Sequence, residues 1–281
     1  MTAPASEARR TAARIPKLIV SDLDGTFLLP DGTVSELNSA AVLEAQAAGI
    51  PVLFATGRPV RWLDVIRELP GAHPTVISSN GAILYDLGVG KVVDQVFIDP
   101  LVALDAVAAL RKILPGASFA FESGARFGYE PTYRAEPVDI DTNHWIFTGP
   151  AEQLAHTEQF VKMLVQHAEV GADELLEHVK SVVGDTLTVT HAATGDYGLV
   201  EISGPGVSKA SMLRRCCERL GIDAADVAAF GDMPNDLDML SWVGMPHVVA
   251  NAHPLLLDLG VPVVPGNAES GVGQTIRSWL P

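Results

Sequence analysis

The chain has 281 residues, 48% hydrophobic and 19% charged, enough to bury cores in two domains and too apolar for wholesale disorder. Its formal net charge of −15 argues against nucleic acid or an anionic membrane as partner. Residues 1–15 contain no apolar h-region and no run reaches the roughly 20 residues that span a bilayer, so a disordered tail on a soluble, cytoplasmic protein is expected.

Along the chain, "KLIVSD" (17–22) reads as a strand. "SELNSAAVLEAQAAG" (35–49) reads as a helix with Ser35 capping its start and Gly49 closing its end. A strand at "IPVLFATG" (50–57) precedes a helix at "RPVRWLDVIREL" (58–69), with Pro59 at its first position, and "PTVISSNGA" (74–82) is a third strand. Strands this uniformly apolar are covered on both faces, which gives a Rossmann-like, doubly wound parallel α/β sheet.

The pattern then changes. A helix at 101–116 is followed by strand, break and strand ("ASFAFES", "RFGYE"), and a helix at 172–185 by "TLTVTHA", the turn "TGD", and "YGLVEIS". These form a loose αββ repeat, with "FVKMLVQH" (160–167) readable as strand or helix between them. After "SGPG" (203–206) the first pattern resumes with a helix at 208–221, a strand at "DVAAFGD", a helical segment at 235–243 and short strands at "HVVA" and "VPVV". The expected organisation is therefore a core of residues 16–86 and 204–281, interrupted by an α+β domain at 87–203. The adjacent Cys216 and Cys217 suit neither a redox pair nor a zinc site and are expected to be packed thiols.

Ligands in such sheets gather outside the carboxyl ends of the strands. Four segments arrive there: "SDLDGT" with Asp22 and Asp24, "FATGR" with Thr56, Gly57 and Arg58, "GVSKAS" with Lys209, and "FGDMPND" with Asp232, Asn235 and Asp236. Taken singly, most have ordinary readings as turns or caps. Lys209 is less ordinary, since a cation in a first helical turn opposes the helix dipole and calls for a nearby anion. Together the segments bring three acids, Asp22, Asp232 and Asp236, to one point, which requires a hard divalent cation; an all-oxygen set with few carboxylates suits Mg²⁺. Thr56, Lys209 and the open amides near Gly25 and Gly57 then form a receptor for a phosphoryl group.

Those four segments, in that order and with an insertion ahead of the lysine, resemble the motifs of the haloacid dehalogenase (HAD) superfamily of phosphohydrolases. The αββ repeat, "SSNGAILYD" (78–86) and "NAESGVGQTI" (267–276) resemble its Cof-type branch with a subclass IIB cap. Ala250 and Ser270 depart from that branch, which commonly has glycine and an acid there. The resemblance implies that Asp22 attacks phosphorus to form an aspartyl-phosphate, and that Asp24 protonates the leaving oxygen and then activates water. It also implies that the metal is held by Asp22, Asp232 and the Asp24 backbone carbonyl. Asp236 either reaches the metal through water or orients Lys209. Asn235 joins the phosphate contacts. A cap implies a small phosphorylated metabolite as substrate, with Arg58, Asn80, Arg126, Tyr129, Arg134, His144 and Trp145 as candidate contacts. The expected reaction is Mg²⁺-dependent hydrolysis of a phosphate monoester; the alternatives are a phosphotransferase or mutase and a non-catalytic phospho-ligand sensor.

Overall fold

The computed structural model describes residues 14–135, 146–191 and 197–280. The apolar run at its start forms β1 (Leu18–Ser21), wholly buried, and the chain crosses over through α1 (Glu36–Ala47) to β2 (Val52–Ala55). Ser35 caps α1 as its sequence position requires, its hydroxyl accepting from the Asn38 N–H at 3.0 Å. A short α2 (Asp64–Arg67) leads to β3 (Ala72–Ser78), then β4 (Ile83–Asp86) and β5 (Lys91–Gln95).

A second run of elements follows: α3 (Pro100–Ile113), β6 (Ser118–Glu122), β7 (Phe127–Tyr129), β8 (Ile146–Thr148), α4 (Ala151–Thr157) and β9 (Lys162–His167). It continues through α5 (Ala172–Val183), β10 (Thr188–Thr190) and β11 (Gly198–Ser203). The chain then returns through α6 (Lys209–Leu220), β12 (Val227–Gly231), α7 (Leu237–Trp242), β13 (Met245–Val249), α8 (Pro254–Leu257), β14 (Val263–Val264) and α9 (Gly271–Trp279).

The strands form two sheets. The larger has the order β14-β13-β12-β1-β2-β3-β4-β5, parallel as far as β3 and antiparallel beyond it. The smaller has the order β10-β11-β9-β6-β7-β8, antiparallel except for the β7–β8 pair. Each has its own apolar cluster, one around Phe27, Phe54 and Phe230, the other around Phe119, Phe160 and Val165. The doubly wound α/β class expected from the uniformly apolar strands is the class observed. Among the described residues, no helix is long and apolar enough to cross a membrane.

Three local expectations meet particular outcomes. "FVKMLVQH" resolves as a strand because it is the centre of the smaller sheet, paired to β6 and β11. The larger sheet runs on through β5 to Gln95, past Asp86, since β4 folds back antiparallel on β3 and β5 folds back antiparallel on β4. The helix expected over 58–69 is broken: a 3₁₀ turn at Val60–Trp62 precedes the four residues of α2. The arginines on this stretch are drawn sideways, Arg58 to Asp24 and Arg61 to Glu122 of the smaller sheet. The chain crosses between sheets at two places that touch, because a Cβ on Gly204 would lie 3.2 Å from the Phe97 carbonyl oxygen.

Candidate active site

The ends of β1, β2 and β12 and the start of α6 converge. Asp22 follows β1 directly, Thr56 follows β2 and Asp232 follows β12, and all three are buried. Lys209 is the first residue of α6, fixed there by a reciprocal cap in which Ser208 accepts from the Ser211 N–H and Ser211 from the Ser208 N–H. Its side chain is fully buried, and its ammonium donates to Asp22 Oδ1 at 2.6 Å and Asp236 Oδ1 at 2.7 Å. The anion that a lysine at a helix start calls for is therefore supplied twice.

Asp22, Asp232 and Asp236 each offer a carboxylate oxygen, and these atoms all lie within 4.8 Å of one another. Burial pushes the Asp22 carboxyl well above the usual carboxylate range; Lys209 pulls it down, while Asp236, Asp232 and Asp24 add to the rise. Asp232 is raised to about 7, by burial first and by Asp236 second. Burial disfavours the Lys209 ammonium too, but Asp22 and Asp236 more than offset this and hold it above the ordinary lysine value. One ammonium against three carboxylates leaves the cluster short of positive charge. An oxygen-only donor set of this kind fits a hard divalent cation.

Asp236 is the most fully engaged of the three. Besides accepting from Lys209, its second oxygen accepts from the backbone N–H groups of Asp232 and Met233 at 3.1 Å each. Asp232 in turn accepts from the Thr26 hydroxyl at 2.6 Å. Gly25, at φ +77°, lies so close to the Asp232 carboxylate that a Cβ there would collide with it. Asn251 reaches across to donate to the Gly25 carbonyl at 2.8 Å. Thr26 was available in the sequence as part of "DLDGT"; Asn251 carried no local signal.

Asp24 stands apart from the cluster, with its side chain about half exposed and both oxygens held by Arg58, at 2.7 Å from Nε and 2.6 Å from Nη2. The two border a cavity of about 460 Å³ with Arg61, Trp62 and Asp64. Thr56 accepts from the Arg58 N–H at 3.0 Å, and Gly57 leaves room above the loop for Asn80 and Asn235, whose side chains bond each other at 3.0 Å. The smaller sheet adds two residues that sequence reasoning missed, Lys162 and Glu201. Lys162 donates to the Gly57 carbonyl at 2.8 Å and pairs with Glu201. The one local hint was a lysine within the apolar "FVKMLV".

The remaining candidates fall elsewhere. Arg126 pairs with Glu158 at 3.9 Å, Tyr129 packs with Phe127 and Tyr133, and Arg134 lies over the Tyr197 ring. His144 and Trp145 lie outside the described residues.

A family model described as haloacid dehalogenase-like hydrolase matches residues 19–276. Among curated relatives, the 5-amino-6-(5-phospho-D-ribitylamino)uracil phosphatase of Bacillus subtilis is 24% identical over 265 residues, covering 94% of this chain and 96% of its own. The HMP-PP phosphatase of Cronobacter sakazakii is 26% identical over 263 residues, covering 92% and 94%. A solved haloacid dehalogenase-like hydrolase from B. subtilis superposes with a TM-score of 0.78 at 25% identity, covering 93% of this chain and 99% of its own. With the family matched over nearly its whole length and the acids and lysine of the four segments gathered at one set of strand ends, the chain belongs to the haloacid dehalogenase-like hydrolases.

Proposed function

We propose that this chain is a Mg²⁺-dependent phosphatase that hydrolyses a small phosphate monoester through an aspartyl-phosphate on Asp22. The observation that carries the reading is the buried cluster of three carboxylates around Lys209, with a fourth, solvent-accessible carboxylate two residues from Asp22. Bound Mg²⁺ supplies the missing positive charge, keeping Asp22 ionised and neutralising phosphoryl oxygens.

The chain's own groups divide the remaining work. Lys209 holds one oxygen of Asp22, which leaves the other to attack phosphorus. Asp22, Asp232 and the Asp24 backbone carbonyl would hold the metal. The saturation of both Asp236 oxygens supports the reading in which Asp236 orients Lys209. Thr56, the amides near Gly25 and Gly57, Lys209 and Asn235 receive the non-bridging oxygens. Asp24 protonates the leaving oxygen and then takes a proton from the attacking water; to do so it sheds at least one of the two bonds from Arg58. Arg58 is thereby a partner of the acid before it is a substrate contact.

The part of the expected 87–203 insertion that follows β5 and carries the smaller sheet acts as the cap, of the IIB kind. It grips the core where Lys162 donates to the Gly57 carbonyl, Glu201 accepts from Asn80 and Glu122 pairs with Arg61. A lid in that place suits a small metabolite; the B. subtilis relative is named for such a phosphate monoester, 5-amino-6-(5-phospho-D-ribitylamino)uracil.

The test is phosphate release from an aryl phosphate and a panel of phosphorylated metabolites, with and without Mg²⁺, by wild type and Asp22→Asn. The wild type should turn over only with the metal, and the variant should be folded and at least about 1,000-fold slower. Full activity in Asp22→Asn, with deamidation excluded by mass spectrometry, would remove Asp22 as nucleophile. Exchange between sugar phosphate isomers with little free phosphate would replace the hydrolase with a mutase.

A further inference from the structure

Glu201, Asn80 and Asn235 form a chain of hydrogen bonds from the smaller sheet into the candidate phosphate pocket. Asn80 Nδ2 donates to Glu201 Oε2 at 2.7 Å, and Asn235 Nδ2 donates to Asn80 Oδ1 at 3.0 Å. The polarity of this chain is dictated from one end. A carboxylate accepts only, so Asn80 must turn its NH₂ to Glu201; its oxygen then faces Asn235, which must answer with its own NH₂. Lys162, almost wholly buried on β9, holds the other oxygen of Glu201 and so fixes the carboxylate in place.

The two amides lie across bare backbone. A Cβ on Gly57 would be 3.1 Å from Asn80 Oδ1 and 3.7 Å from Asn235 Nδ2. Asn80 is also held in the left-handed region, at φ +55°, next to Ser79 at φ +51°, a conformation asparagine tolerates better than most residues. Asn235 Oδ1 is buried without a hydrogen-bond partner, so the orientation of this amide is set from its nitrogen end.

Resting on the phosphatase reading above, we propose that Glu201 is a positioning residue: through Asn80 it turns the donor end of Asn235 toward the Thr56–Gly57 loop, where a phosphoryl oxygen needs donors. Without that carboxylate the two amides are free to flip together, and Asn235 can present an acceptor to an anion. The smaller sheet thus sets the polarity of a phosphate contact that it does not itself make.

Glu201→Gln is the sharp probe, because it keeps the shape. Lys162 claims the glutamine oxygen, leaving a donor to face the Asn80 NH₂, which must then flip. The readouts are Mg²⁺-dependent hydrolysis of p-nitrophenyl phosphate and its inhibition by orthovanadate, in wild type, Glu201→Gln, Asn235→Ala and the double variant, with thermal melts to confirm folding. Glu201→Gln should weaken vanadate inhibition about 10- to 100-fold, as expected for a lost hydrogen bond to a charged group. In the Asn235→Ala background the same change should add less than about twofold. Unchanged inhibition in Glu201→Gln, or an undiminished effect in the double variant, overturns the proposal. Should Glu201→Gln fail to fold, Asn80→Ala in the same cycle removes the same link, with the same two outcomes. A wild type that does not hydrolyse the ester with Mg²⁺ sinks the phosphatase reading instead.

Discussion

Two buried lysines serve opposite ends of the Asp22–Gly57 region, and their surroundings differ in one respect. Lys209 faces two carboxylates with a third close by, whereas Lys162 faces one carboxylate and a backbone carbonyl. The first site is left negative and the second is balanced. A buried charge without its counter-charge is costly enough that an imbalance of this kind marks a place where a ligand arrives, and a balanced pair marks a joint. Lys162 crosses to the core through the Gly57 carbonyl, and the Arg61–Glu122 pair, which itself joins the smaller sheet to the core, is of the balanced kind.

The largest effect should come from deepening the imbalance. Lys209→Met leaves three buried carboxylates without their ammonium. It should cut phosphate release by at least about 100-fold and lower the stability of the metal-free protein by about 3 kcal/mol or more, with Mg²⁺ restoring much of the stability. Chemical denaturation with and without the metal measures both; an unaltered metal-free midpoint would show the cluster tolerates its own charge.

Next comes the pH dependence. The Asp232 carboxyl is raised from 3.8 to about 7 in the folded chain, so between those values the native state keeps a proton that the unfolded state has released. Metal-free stability should therefore fall as pH rises from about 4 to 7. The rise in melting temperature on adding Mg²⁺ should be greater at pH 7 than at pH 5. A metal effect that is flat with pH would detach Asp232 from the metal.

At the joint, Glu122→Gln should cost about 3 kcal/mol, since Glu122 is buried, accepts from the Gly124 N–H at 2.7 Å and neutralises Arg61. Added Mg²⁺ should leave that loss in place, which separates a joint from a ligand site. The smallest effect belongs to the thiols. Burial raises Cys216 and Cys217 to about 11, so iodoacetamide at pH 7.5 should leave both intact until the protein unfolds.

The same contrast explains what the sequence disclosed. Asp22, Asp24, Thr56, Lys209 and Asp232 are legible because each sits at a strand end or helix start that short-range pattern locates, and parallel topology brings those ends together. Lys162 opens strand β9 and Glu201 lies inside β11, both in the smaller sheet, and their meaning arises only when that sheet settles over Gly57. The helix expected at 58–69 fails for a related reason: its periodicity is sound, but Arg58 and Arg61 have partners elsewhere in the molecule that outweigh local propensity. Ser270, a departure from the Cof-type pattern, lies in the left-handed region at φ +58° and bonds the Ser35 hydroxyl at 2.7 Å, a packing role rather than a chemical one.

The contact of Gly204 with Phe97 has an architectural consequence. Because the outgoing and returning segments run side by side, everything between them is topologically a single loop hung on one strand edge, whatever its size. Such a segment can be exchanged wholesale for another without rethreading the larger sheet or moving Asp22, Lys209 or Asp232. Selectivity can then diverge at a single doorway while the chemistry beneath it stays as it is.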